Sequence, residues 1–207
     1  MALGAMLLAL GLLTARPLFG LIASPTQTEW LQPSVVDIGF VRGMRQHHLQ
    51  ALQMAQMVRG RVSPEADHMA FNILVNQNRE VGLMEGWLVG KDLPVLSTEA
   101  PMAWVESVSR PASPEDALYA AQCRALQGSM PGLATAEELF QLSELQGAQL
   151  EKHFLSLMKA HHRAALPMAG FAMRNAKMPW VRQTAQLIAQ DQRSELAWIE
   201  QRLNQIK

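Results

Sequence analysis

The chain has 207 residues, 49% of them hydrophobic and 17% charged, enough apolar material for one ordinary domain core plus an appendage. Eighteen basic and eighteen acidic residues cancel, which argues against the basic field of a nucleic-acid binder. A single cysteine, Cys123, excludes an internal disulfide and reads by default as a small buried hydrophobe.

Ala2 to Leu13 is apolar or glycine throughout, Thr14-Ala15-Arg16-Pro17 interrupts, and Leu18 to Ala23 is apolar again. The first run has the length of a signal-peptide core, and the whole stretch just reaches the ~20 residues of a membrane span. No Lys or Arg precedes it, and no clear small-residue cleavage site or lipobox cysteine follows. Residues 1–23 are therefore expected to be an export segment, either a signal peptide or a membrane anchor; a buried N-terminal helix is the competing reading. Residues 24–33 read as a polar, Pro-bearing linker to a helical domain over 34–207.

The first domain helix is expected from Ser34 or Val35 to Arg59, with Ser34 as cap and Gly60 as stop. Ser63-Pro64-Glu65 opens the second: a capping Ser, Pro at the first helical position and an acid in the first turn. It runs to about Val89, with Gln77 and Glu80 as polar residues on an otherwise apolar face. Glu65-Ala66-Asp67-His68 spells the Glu-x-x-His of di-iron bundles. Those bundles need the motif twice with further glutamates, so helix-dipole placement explains it better here. Lys91 to Pro114 is a long connection with room for short helical turns. Ser113-Pro114-Glu115 repeats the start signal for a helix to about Gln127, and Gly128 to Gly132 is a loop. Thr135 and Glu138 form a capping box for the next helical region, which Gly147 is expected to divide. Pro167 should kink the helix that contains it. A last helix runs from Pro179 to about Ile206. No strand-period segment of useful length occurs.

One stretch occurs twice. Asp37 to Ala55 and Glu151 to Ala169 share Phe40/Phe154, Met44/Met158, His47/His161, His48/His162, Ala51/Ala165, Met54/Met168 and Ala55/Ala169, with Asp37/Glu151 keeping the charge. Gln77/Gln192 and Glu80/Glu195 extend the correspondence to the helix that follows, so the repeated unit is a helix pair, about 34–89 and 148–206. On a helix, the Phe, Met, His and Ala positions fall on one stripe. Each copy thus offers imidazole and thioether groups within one turn of each other, between alanines small enough to let a facing helix approach. A lone core His or Met is usually packing; two adjacent imidazoles repeated with Met at the same offsets are not what packing requires. Imidazole suits several transition metals, and thioether sulfur selects Cu(I), so the mixture points to copper more than to zinc.

The duplicated His-His-x-x-Ala-x-x-Met-Ala, the run Gln77-x-x-Glu80-x-x-x-Met84-x-x-Trp87-Leu88 and Met130-Pro131-Gly132 resemble the domain of unknown function 305 family over about Val35 to Leu203. The resemblance implies a bacterial, mostly exported protein with a ferritin-like four-helix bundle, in a family some of whose members are described as periplasmic copper binders. It carries ligands onto the His-His and Met positions. Two departures stand out: Glu151 where Asp is common, and Gly43 where an acid often precedes the Met.

The expectation is an all-α, ferritin-like bundle built from two repeated helix hairpins. Its function would be extracytoplasmic copper binding for storage, buffering or resistance rather than catalysis. The ligands would be His47, His48, His161 and His162, with Met44, Met54, Met158 and Met168 as soft ligands or a shell around them. Asp37, Glu80, Glu151 and Glu195 are candidates to hold the rings from behind, since a ligating imidazole usually donates its other N–H to such a group. The partners would be a metal ion and, through residues 1–23, a membrane; a homo-oligomer stays open. The alternatives are a metal-dependent redox enzyme and a structural module whose histidines satisfy one another.

Overall fold

The computed structural model describes residues 32–206, in which six α-helices and no strand occur. They are α1 (Val35–Val58), α2 (Pro64–Val89), α3 (Pro114–Ala125), α4 (Ala136–Glu144), α5 (Gly147–Asn175) and α6 (Pro179–Leu203), with a 3₁₀ turn at Ala103–Ser107 in the long connection. The expected export segment, residues 1–23, and nearly all of the linker 24–33 lie outside the described residues. Among the described residues no helix is long and apolar enough to cross a membrane.

The helix starts follow the caps in the sequence. The Ser34, Ser63, Ser113 and Thr135 side chains each accept the backbone N–H three residues on, and Ser34/Asp37 and Thr135/Glu138 close full capping boxes. The last helix stops short of the expected Ile206, at Leu203, and α3 stops at Ala125 because Gln127 and Gly128 turn to positive φ (52° and 76°). Gly147 divides α4 from α5 as expected. α5 runs unbroken through Pro167, and the proline is exposed, so its ring faces solvent.

Helices α1, α2, α5 and α6 form the bundle. α1 packs against both α2 and α5, α5 packs against α6, and α3 and α4 lie outside. α1 and α5 run antiparallel, because Asp37 at the start of α1 accepts from the Met178 N–H after α5, and Glu151 near the start of α5 accepts from the Ser63 N–H after α1 (2.8 and 3.0 Å). The rings of Trp87 and Trp180 stack at 5.4 Å and 6°, tying the end of α2 to the start of α6. The α1–α2 and α5–α6 hairpins are thus related by a pseudo-twofold axis, as the repeat requires.

Two apolar clusters fill the bundle. One gathers Phe40, Met44, Trp104, Met168 and Phe171; the other gathers Met54, Ile73, Phe154 and Met158. Each fully buried Phe contributes about 1.5–3 kcal/mol. The connection is seated by Gly39, where a Cβ would stand 2.1 Å from the Trp104 Cβ and Cγ, so only a bare backbone lets this indole lie on α1. α3 is held by a bidentate Asp116–Arg174 pair, and α4 by the Arg61 guanidinium, which donates to the carbonyls of Leu142, Ser143 and Leu145.

Candidate metal centre

Between the two apolar clusters lies a polar layer. The α1 stripe puts His47 and His48 into it, the α5 stripe puts His161 and His162 into it, and all four rings are fully buried. The flanking Ala51, Ala55, Ala165 and Ala169 are buried too, and small residues there let α1 and α5 approach closely. The His47 and His161 rings meet on the pseudo-twofold axis, centroids 3.6 Å apart and 37° from parallel.

The hydrogen bonds fix which nitrogens are taken. His161 donates Nε2–H to the His47 carbonyl at 3.0 Å. His48 turns Nε2 to the Glu80 carboxylate at 2.7 Å, and His162 turns Nε2 to Glu195 in the same way. A carbonyl or carboxylate oxygen can only accept, so in these three rings Nε2 carries the proton and Nδ1 is left. Those three Nδ1 atoms, and both nitrogens of His47, have no protein partner; nor have the side-chain amides of Gln77 and Gln192. Buried polar atoms are normally satisfied by protein, water or a bound ion, so these nine have bonding or ligating capacity to spare; outside this set only Trp104 Nε1 and the Tyr119 hydroxyl, among the described residues, are in the same state.

Burial is the main reason the His47 imidazole is held well below its ordinary pKa, and charge on His161, His48 and His162 would push it further down. Burial does the same to His161, helped by His162 and His48 and opposed by its bond to the His47 carbonyl. Both rings are therefore neutral at pH 7, each with a lone pair on one nitrogen.

The eight predicted ligands divide by depth. The four imidazoles come together. The thioethers are shared out between the apolar clusters on either side, Met44 with Met168 and Met54 with Met158. Among the described residues no group of three His, Cys, Asp or Glu stands ready to hold a metal ion. The imidazoles are paired rather than caged, and the neighbouring soft atoms are thioethers. Glu80 bonds His48, and Glu195 bonds His162. Asp37 and Glu151 do not belong to this layer. They share the stripe, but each lies ten residues before its first histidine, about 15 Å along a helix, and each closes one end of the bundle.

Sequence reasoning missed what covers the layer. On the α1–α5 side the loop before α4 lies directly on α5: a Cβ at Gly132 would stand 2.3 Å from the Ala164 Cβ and 3.5 Å from the His161 Cα. Gln50 on α1 brackets the same loop, donating to the Ala134 carbonyl at 2.9 Å and accepting its N–H at 2.6 Å. The Met130-Pro131-Gly132 signal marked this loop but not its function as a cover. A roomier cavity, about 540 Å³, lies under residues 95–101 on another face of α1 and is lined by none of the four histidines.

The family model described as "Domain of unknown function (DUF305)" matches residues 37–203. Among solved structures, a candidate secreted DUF305 protein from Streptomyces coelicolor is 31% identical, with 82% of this chain and 93% of that one aligned at a TM-score of 0.69. A DUF305 fragment from Deinococcus radiodurans is 27% identical over 84% and 98% of the two chains, TM-score 0.62. CopM in its Cu(I)-bound form is 23% identical over 82% and 96%, TM-score 0.58, a likeness of fold. No curated protein matches the sequence.

Proposed function

This chain belongs to the DUF305 family, and we propose that it binds copper in the buried imidazole layer, outside the cytoplasm, as a storage, buffering or resistance protein. One observation carries this: five imidazole nitrogens without a protein partner, on four fully buried rings, between two pairs of buried thioethers. The donor set fits copper. Neutral imidazole is a good ligand for either oxidation state, and thioether sulfur favours Cu(I). In this reading His47, His48, His161 and His162 are ligands, and Met44, Met54, Met158 and Met168 complete or surround the set. Glu80 and Glu195 hold two rings with Nδ1 turned inward, which fixes their tautomer and raises their basicity. The resemblance to CopM, solved with Cu(I) and with Cu(II), makes copper the first ion to try. An extracytoplasmic site rests on the apolar residues 1–23 and on the likeness to a candidate secreted protein. Residues 1–23 would also supply any membrane attachment.

The test is a competition titration with Cu(I) and Cu(II) on the wild type and on the His47→Ala/His161→Ala variant. The variant is expected to lose at least about a hundredfold in affinity, or roughly 2.7 kcal/mol. Copper should raise the melting temperature of the wild type alone, since a ligand bound only by the folded state stabilises it. Equal affinities in the two proteins would end the proposal. A melting temperature indifferent to copper would leave the histidines as packing.

A further inference from the structure

The imidazole layer is covered by the Gly132 loop on the α1–α5 side, so an ion must come from elsewhere. α2 and α6 make little backbone contact, and a cavity of about 240 Å³ lies between them. Asn72, Asn76, Asp191, Ser194, Glu195 and Trp198 line it. Glu195 belongs to both places, since it lines this cavity and its carboxylate holds His162. The groove therefore reaches the layer through one side chain.

We propose that the groove between α2 and α6 is the port by which a hydrated cation enters the imidazole layer, with Asp191 at its mouth as the charge that draws the ion in. The proposal rests on the copper-binding reading and adds the route. Two independent features point the same way. The first is charge: three carboxylates, Glu80, Asp191 and Glu195, gather where α2 faces α6. Burial first, and then Glu80 and Glu195, push the Asp191 carboxyl up, while the Arg79 guanidinium opposes them, so acids outnumber the one cation that faces Asp191. Glu80 and Glu195 are committed to histidines, whereas Asp191, half-buried at the groove, can meet an incoming ion. The second feature is the glutamine pair. Gln77 and Gln192 are each 2% exposed, and no atom of either amide has a protein partner. Each lies three residues before its glutamate, on the same helix face. Buried amides in that state call for water or an ion, so the two helices carry polar groups with bonding capacity to spare beside the glutamates that hold the layer.

A single acidic group at a narrow mouth acts on the rate of capture more than on the final affinity, and its effect falls with salt. The probe is Ag(I), a redox-inert stand-in for Cu(I), mixed in stopped flow with the full chain and followed by tryptophan fluorescence. Asp191→Asn should slow uptake at least threefold at low salt, flatten its salt dependence and leave the equilibrium affinity within twofold. Ser194→Trp, which fills the groove without touching a charge, should slow uptake further at every salt concentration. Glu144→Gln, an exposed acid on α4, should leave the rate unchanged. If Asp191→Asn and Ser194→Trp both load at the wild-type rate, the port is wrong and copper binding stands. If the wild type takes up neither Ag(I) nor copper, both readings fall together.

Discussion

At the scale of single residues, the glycines carry the sharpest constraints. Gly132 has φ +77°, and its missing Cβ is what lets the cover loop sit against α5. Gly132→Ala should therefore cost at least about 2 kcal/mol, from the left-handed backbone and from a clash with a β-carbon that cannot swing away. Urea denaturation measures it. Adding Ala164→Gly should recover the steric part and leave the backbone part; no recovery would show that the overlap is not the cause. The imidazoles were legible in the sequence because adjacent histidines repeated with Met at fixed offsets are rare. The contacts of Gly39, Gly132 and Trp104 were not, because each is made with a residue far away in the chain, and periodicity reports only which face a residue occupies.

At the scale of the element, the hairpins lock each other through one buried carboxylate apiece. Asp37 accepts from Ser34 in its own cap and from Lys177 and Met178 between α5 and α6. Glu151 accepts from Ser63 and from Arg202, which also donates to the Ser63 hydroxyl. The helix starts were readable from Ser-Pro-Glu and the capping boxes, but the clamps were not. Asp37 and Glu151 sit at the ends of the bundle, bonded to the backbone after α5 and after α1, and periodicity does not report that distance from the imidazoles. Burial alone would raise the Glu151 carboxyl, but the bonds from Ser63 and Arg202 outweigh it and hold it below the usual range. A lowered carboxyl contributes stability above its unfolded pKa, about 4.3, and loses it as the pH falls through the folded value. Glu151→Gln should cost about 1–3 kcal/mol at pH 7, and the gap from the wild type should close below about pH 4. A gap that persists there would mean that shape rather than charge holds the end of the bundle.

At the scale of the whole molecule, the polar layer divides the core into two apolar halves, and its protonation state sets how well they stay together. His47 and His161 resist protonation in the folded chain. In the unfolded chain they titrate near 6.5, so below that pH the unfolded state takes up protons that the folded state refuses. Stability of the metal-free protein should thus be level from pH 8 to 7 and fall as the pH drops from about 6.5 toward 5. The slope should reach up to roughly 1.4 kcal/mol per pH unit for each of the two histidines. This window lies above that of Glu151, so the two effects separate along one series of urea midpoints. His161→Gln should remove about half of the slope between pH 6.5 and 5 and leave the part below pH 4.5 alone. Copper would steepen the dependence, because the ion competes with protons for the same lone pairs. A midpoint that stays flat from pH 7 to 5 would mean that these rings protonate as freely inside the bundle as outside it. The layer would then be open to water, and the ion would need no port.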